Sequence, residues 1–172
     1  MFMNFLRNNK VAAGILTILR VYLGWSWMTA GWAKVSGDFN AQGYLTGVVN
    51  NEMVMTQYPT YHAFIENFAL PNAGVFSFLV AWGELLVGIG LILGVLTTAA
   101  AFFGIMMNFA FMFAGTISSN PWMILLTIFI LAAGYNAGKY GGDYYVIPYL
   151  RNILTKNKMS KTPGPGLKPH AA

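Results

Sequence analysis

Four apolar stretches, at about residues 11–33, 72–95, 97–117 and 121–138, constrain this sequence more than any other feature. Each is close to the ~20 residues that carry a helix across a hydrocarbon core. The first holds Arg20 as its single charge, the second holds Glu84, and the other two hold none. Only 9% of the 172 residues are charged, against about a quarter in soluble domains. So few charges cannot cover a water-facing surface. The expected fold is therefore all-α, an integral membrane four-helix bundle lying in the lipid bilayer. This argues against a soluble enzyme. The net charge of +5 sits at the chain ends beside apolar spans, which marks membrane orientation and not nucleic-acid binding.

Local signals agree with these boundaries. Pro71-Asn72 and Asn120-Pro121 are helix starts, with Asn120 expected at the N-cap and Pro121 at the first helical position. Gly94 is placed to end the second helix and Thr97 or Thr98 to cap the third. The short link between them makes these helices antiparallel. Arg7 and Lys10 precede the first span, and Lys139, Arg151, Lys156, Lys158, Lys161 and Lys168 follow the fourth. The connection 34–71 carries Lys34 against Asp38, Glu52 and Glu66. The basic ends place both termini in the cytoplasm of a prokaryotic cell, with a multi-pass chain in its plasma membrane. The apolar run Val11–Leu19 is broken by Arg20 and followed by no A-x-A site, so the first span reads as retained and not as a cleaved signal.

The outer connection is too long for a turn. Tyr61, Phe64, Ile65 and Phe68 recur at helical spacing after Thr60, a candidate N-cap, and predict a short interfacial helix. Asp143 is expected to cap another interfacial helix carrying Tyr144, Tyr145, Tyr149 and Leu150. Residues 1–155 thus form one membrane domain. Residues 156–172, rich in Lys, Pro and Gly, read as a flexible basic tail held near anionic lipid.

With no Cys in the chain, disulfides, Fe–S clusters and thiolate metal sites are not expected from it. Its two histidines, His62 and His170, fall on opposite sides of the expected membrane. No haem or metal site is therefore expected. A redox cofactor would have to dissolve in the membrane or belong to a partner.

Arg20 and Glu84 carry the most information, because a charge in the bilayer costs several kcal/mol and such residues usually face inward and pair. Counted from the expected cytoplasmic ends at ~1.5 Å per residue, Arg20, Glu84 and Asn108 fall at nearly one depth. They predict a polar layer in which Arg20 meets Glu84. Each lies on a stripe of small residues spaced for close packing. The stripes are Arg20, Gly24, Trp27, Gly31 and Lys34, then Ser77, Ala81, Glu84 and Gly88, then Ala101, Gly104, Asn108, Phe111 and Gly115.

Three segments carry a family likeness: LRVYLGWSWMTAGWAKV (19–35), GELLVGIGLILGVLTTAAA (83–101) and NPWMILLTIFILAAGYNAGKYGGDYYV (120–146). In order and on four helices, they resemble the DoxX family of small membrane proteins. The long outer connection resembles the DoxD-like members, the large-subunit type of thiosulfate:quinone oxidoreductase. The resemblance implies membrane redox chemistry with quinone, in thiosulfate oxidation or quinone-stress defence, and a second redox subunit as partner. It matches Arg20, Lys34, Glu84, Asn136, Lys139 and Asp143 to family-pattern positions.

The resulting expectation is a membrane subunit of a quinone-linked oxidoreductase, with homo-oligomers allowed. The quinone would lie near Arg20, Glu84 and Asn108, walled by Trp27, Trp82 and Phe111, with Glu84 and Arg20 as the catalytic pair. A mid-membrane carboxyl suits the proton transfer that quinone reduction requires. The alternatives are a non-catalytic scaffold for a redox partner and a small-anion conduit charged by Arg20.

Overall fold

The computed structural model describes residues 1–160, which are helical from end to end apart from short connections. The elements are α1 (Phe2–Asn8), α2 (Lys10–Val35), α3 (Ala41–Val49), α4 (Glu52–Gln57) and α5 (Pro59–Phe64), which runs on as a π-helical turn (Ile65–Ala69). Then come α6 (Ala73–Leu93), α7 (Thr97–Phe113), α8 (Asn120–Ala133), α9 (Tyr135–Gly138) and α10 (Asp143–Ser160). Residues 156–160, expected to open the tail, continue α10; residues 161–172 lie outside the described residues.

Helix α2 begins where Asn9 Oδ1 accepts the N–H groups of Val11 and Ala12, at 2.7 and 3.2 Å, satisfying donors that no helical carbonyl can reach. It runs antiparallel to α6 at backbone contact. A Cβ on Gly24 would stand 2.9 Å from the Gly88 carbonyl oxygen, and one on Gly88 would stand 2.6 Å from Met28 Cα. Any side chain there would force the helices apart, which is why small residues mark transmembrane contacts. All three small-residue stripes face inward as expected. Leu23, Trp27, Val87, Leu91, Ala101 and Ile130 fill the core between them.

Many large apolar side chains of the long helices are exposed. Only 39% and 33% of the most apolar windows of α2 and α6 are buried inside the molecule. Ile15, Ile18 and Trp25 on α2, Phe78, Leu79 and Leu86 on α6, and Phe102 and Phe103 on α7 point outward. A soluble protein rarely exposes so large an apolar face; lipid covers it at no cost. Two helices, α2 and α6, are long and apolar enough to cross a membrane, while α7 and α8 are apolar but shorter, at 17 and 14 residues.

Several helix starts differ from the sequence reading. Helix α5 begins at Pro59, not after Thr60, because proline's fixed φ suits the first helical position. Asn120 does not cap α8; it is the first helical residue, and its side-chain amide donates back to the Thr116 carbonyl at 2.8 Å. The outer connection folds into three short helices and the π-helical turn. These cover a second core of Ala41, Leu45, Val48, Val54, Ile65 and Ala114.

Candidate functional site

Arg20 is buried, at 2% exposure, and it does not meet Glu84. Its guanidinium stands at the C-terminal end of α6, where Nη1 donates to the carbonyls of Leu91 and, at 2.8 Å, Ile92. Nη2 reaches the Tyr140 carbonyl at 3.2 Å. The last carbonyls of a helix have no partner within it and carry its negative dipole end, so a buried cation fits there. Asp143 adds an attracting negative charge. Arg20 is therefore a helix-end clamp: both Nη1 and Nη2 donate to backbone carbonyls, while its buried Nε has no partner among the described residues.

Asp143 completes this junction. It does not cap its own helix. Its Oδ1 accepts the Leu96 N–H at 2.7 Å and its Oδ2 the Thr97 N–H at 3.0 Å, closing the first turn of α7. Neither Thr97 nor Thr98 caps that helix. Meanwhile the N–H groups of Gly142 and Asp143 donate to the carbonyls of Leu93 and Gly94. The α6–α7 hairpin turns through two left-handed residues, Gly94 at φ 64° and Leu96 at φ 51°. The 140–143 turn holds both sides of it.

Glu84 pairs instead with Lys34, Nζ to Oε2 at 2.6 Å. Glu84 is 3% exposed and Lys34 26%. Lys34 stands one turn beyond Gly31, whose backbone touches Leu85, so its stem lies along α6 with the ammonium on the carboxylate. The ammonium also lies 5.6 Å from the centre of the Phe39 ring. This pair is at the end of the bundle covered by residues 36–72, about seven residues along α6 from Arg20's carbonyls, or ~10 Å.

Both members of the pair line a cavity of about 390 Å³ under the outer connection. Its walls are mainly apolar, including Phe39, Phe64, Phe76, Val80 and Phe111. Tyr44, from α3, shares a 2.9 Å hydrogen bond with Thr116 Oγ1. Tyr61, from α5, donates to the Ala110 carbonyl at 2.8 Å. Burial raises the pKa of the Tyr44 phenol, partly offset by the Thr116 hydrogen bond. Burial, helped by the charge that Tyr44 would carry, pushes Tyr61 up to about 12. Both are neutral phenols at physiological pH. An apolar cavity with a few convergent polar groups is the usual form of a small-molecule site.

The other expected site residues are scattered. Phe111 lines the cavity, whereas Trp82 points outward at 42% exposure beside Phe78. Trp27 and Asn108 are buried in the bundle core, where Trp27 Nε1 and both amide atoms of Asn108 find no hydrogen-bond partner among the described residues. Asn136 donates to the carbonyls of Leu6 and Asn9, at 2.7 and 3.0 Å, and ties α9 to the α1–α2 junction. Lys139 is half-buried beside that turn. Sequence reasoning missed Tyr44 and Tyr61 as cavity residues and the Lys34–Glu84 pairing. The pairing follows from the glycine contacts: Gly31 packs against Glu84 and Leu85, which brings Lys34, one turn further on, and not Arg20 beside Glu84.

The lipid-facing helices and the cavity closed by an ion pair define a small helical membrane protein. Residues 15–116 match the DoxX family model, and the chain belongs to the DoxX family. That match includes Arg20, Lys34, Glu84, Asn108 and Phe111 and ends before Asn136, Lys139 and Asp143. No curated protein and no solved structure matches the chain.

Proposed function

We propose that this DoxX protein is the membrane subunit of a quinone-linked oxidoreductase of the DoxD-like type, acting on a sulfur compound such as thiosulfate or in quinone-stress defence. In this reading the chain spans the plasma membrane of a prokaryotic cell four times with both termini in the cytoplasm, and a second redox subunit supplies electrons. The observation that carries the proposal is the buried Lys34–Glu84 pair in the wall of an apolar cavity at the outer end of the bundle.

The residues present fit a quinone head. Phe111, Phe76 and Phe39 offer ring-sized apolar walls, and the Lys34 ammonium is a hydrogen-bond donor suited to a carbonyl oxygen. A bound quinone supplies a two-electron acceptor that also takes up two protons. Glu84 is the group placed to hold and release a proton at Oε2, with Lys34 Nζ stabilising its charged form. Tyr44 and Tyr61, hydrogen-bonded to Thr116 and to the Ala110 carbonyl, fix the cavity's shape under the outer connection.

The test is ligand-dependent stability of the purified full chain. A ubiquinone or menaquinone analogue should raise the unfolding temperature by mass action. Lys34→Met should weaken that effect. Glu84→Gln should keep binding largely intact while abolishing quinone reduction by the native partner. If several analogues fail to stabilise a folded protein, the quinone site is abandoned for the scaffold reading.

A further inference from the structure

A groove of about 500 Å³ opens at the other end of the bundle, between α7, the α8–α9 kink and the start of α10. Its walls are apolar: Phe102 and Phe103 from α7, Leu131 from α8 and Ile147 from α10. At its rim stands Arg151, whose guanidinium lies 6.0 Å from the centre of the Tyr135 ring, a cation–π distance. Asp143, Ile147 and Arg151 follow one another at four-residue spacing, so a single face of α10 supplies a carboxylate, an apolar contact and a cation to the groove. The carboxylate is committed elsewhere, because both Asp143 oxygens hold the first N–H groups of α7. Its negative charge also faces the buried Arg20 guanidinium, which offsets it, so Arg151 at the rim sets the sign of charge that the groove attracts.

Phe102 and Phe103 are 51% and 60% exposed, so the apolar part of the groove opens toward the surface that lipid covers. Tyr144, Tyr145 and Tyr149 stand exposed on α10, as aromatic residues do at the headgroup level. Arg151 thus stands at the depth of headgroup phosphates, and the apolar walls run on at acyl-chain depth. We propose that this groove binds an anionic phospholipid, with the phosphate on Arg151 and an acyl chain along Phe102, Phe103 and Leu131. A quinone fits less well, since the only carboxylate here is tied to backbone. This site is separate from the Lys34–Glu84 cavity and does not depend on the function assigned to it.

The experiment uses the full chain in a neutral detergent, titrated with dioleoylphosphatidylglycerol or dioleoylphosphatidylcholine while thermal unfolding is followed. The anionic lipid should stabilise at about tenfold lower concentration than the zwitterionic one. Arg151→Gln should erase most of that preference, and Arg151→Lys should restore part of it. Ala99→Trp, which fills the groove from an exposed position, should weaken stabilisation by the anionic lipid. If that variant does not fold, Phe103→Ala reads the same wall. Lys139→Gln, outside the groove, should leave the preference unchanged. The proposal is overturned if Arg151→Gln keeps the full preference, or if inorganic phosphate alone gives the same stabilisation, which would make this a bare anion site.

Discussion

A methyl group on Gly94 would begin 2.6 Å from Cζ of Arg20. The left-handed turn that ends α6 and the buried guanidinium therefore occupy adjoining space, and a side chain at position 94 needs a smaller residue at position 20. Gly94→Ala meets two obstacles: a φ of 64°, which costs ~1–2 kcal/mol for a residue with a Cβ, and the guanidinium itself. The substitution should destabilise the protein by at least about 2 kcal/mol. Much of the clash should vanish in an Arg20→Ala background, so a double-mutant cycle in detergent should be non-additive.

Coupling should follow the ion pair and not the expected polar layer. Lys34→Met and Glu84→Leu should each lower stability, and the double variant should recover part of the loss, with an interaction of about 1–3 kcal/mol. Arg20→Leu combined with Glu84→Leu should add within ~0.5 kcal/mol. A large Arg20–Glu84 interaction term would contradict the geometry described here.

Asp143→Ala removes the acceptor for two backbone N–H groups at the start of α7 and should cost ~1–2 kcal/mol. Asp143→Asn keeps one acceptor oxygen and should cost less. Hydrogen exchange should locate the change in the first turn of α7, 46 residues away in sequence, more than in α10.

Alkaline stability should report on Tyr61. Its folded pKa, about 12, lies above the ~10 of an unfolded tyrosine. The fold thus favours the protonated phenol, and this contribution is complete below pH ~10 and lost as pH rises toward 12. Tyr61→Phe cannot ionise, so its stability should fall less steeply across that window, as followed by chemical unfolding at a series of pH values.

The four-span topology is checked by reporter fusions. A reporter after residue 159 should read as cytoplasmic and one within residues 45–55 as external. Any other pairing removes the orientation on which the outer position of the cavity rests.

Much of this architecture is legible in the sequence because lipid reverses the usual surface rule. Long apolar runs with at most one charge each can only be buried or lipid-facing helices, and Gly24, Gly31 and Gly88 mark the contact faces in the sequence itself. Relative depth was not legible. Counting from the ends assumed that α2 and α6 start level, but α2 extends further toward the termini, so Arg20 stands beside Leu91 and Ile92 and leaves Glu84 to Lys34. Tyr44 and Tyr61 escaped notice for a different reason. Their partners, Thr116 and the Ala110 carbonyl, are 72 and 49 residues away, and no local periodicity reports a contact of that kind.

The contact between Asp143 and the start of α7 bears on the order in which the protein can be made. The α6–α7 hairpin leaves the ribosome well before residue 143, yet the acceptors for the Leu96 and Thr97 N–H groups, and the Tyr140 carbonyl that Arg20 reaches, arrive only with the last helix. Until that segment is made, the Leu96 and Thr97 amides lack the acceptors that hold them in the finished fold. The final segment acts as a latch on helices already inserted. A chain stopped before residue 140 would retain its apolar segments and their attraction for lipid, but not the closure that sets them in register.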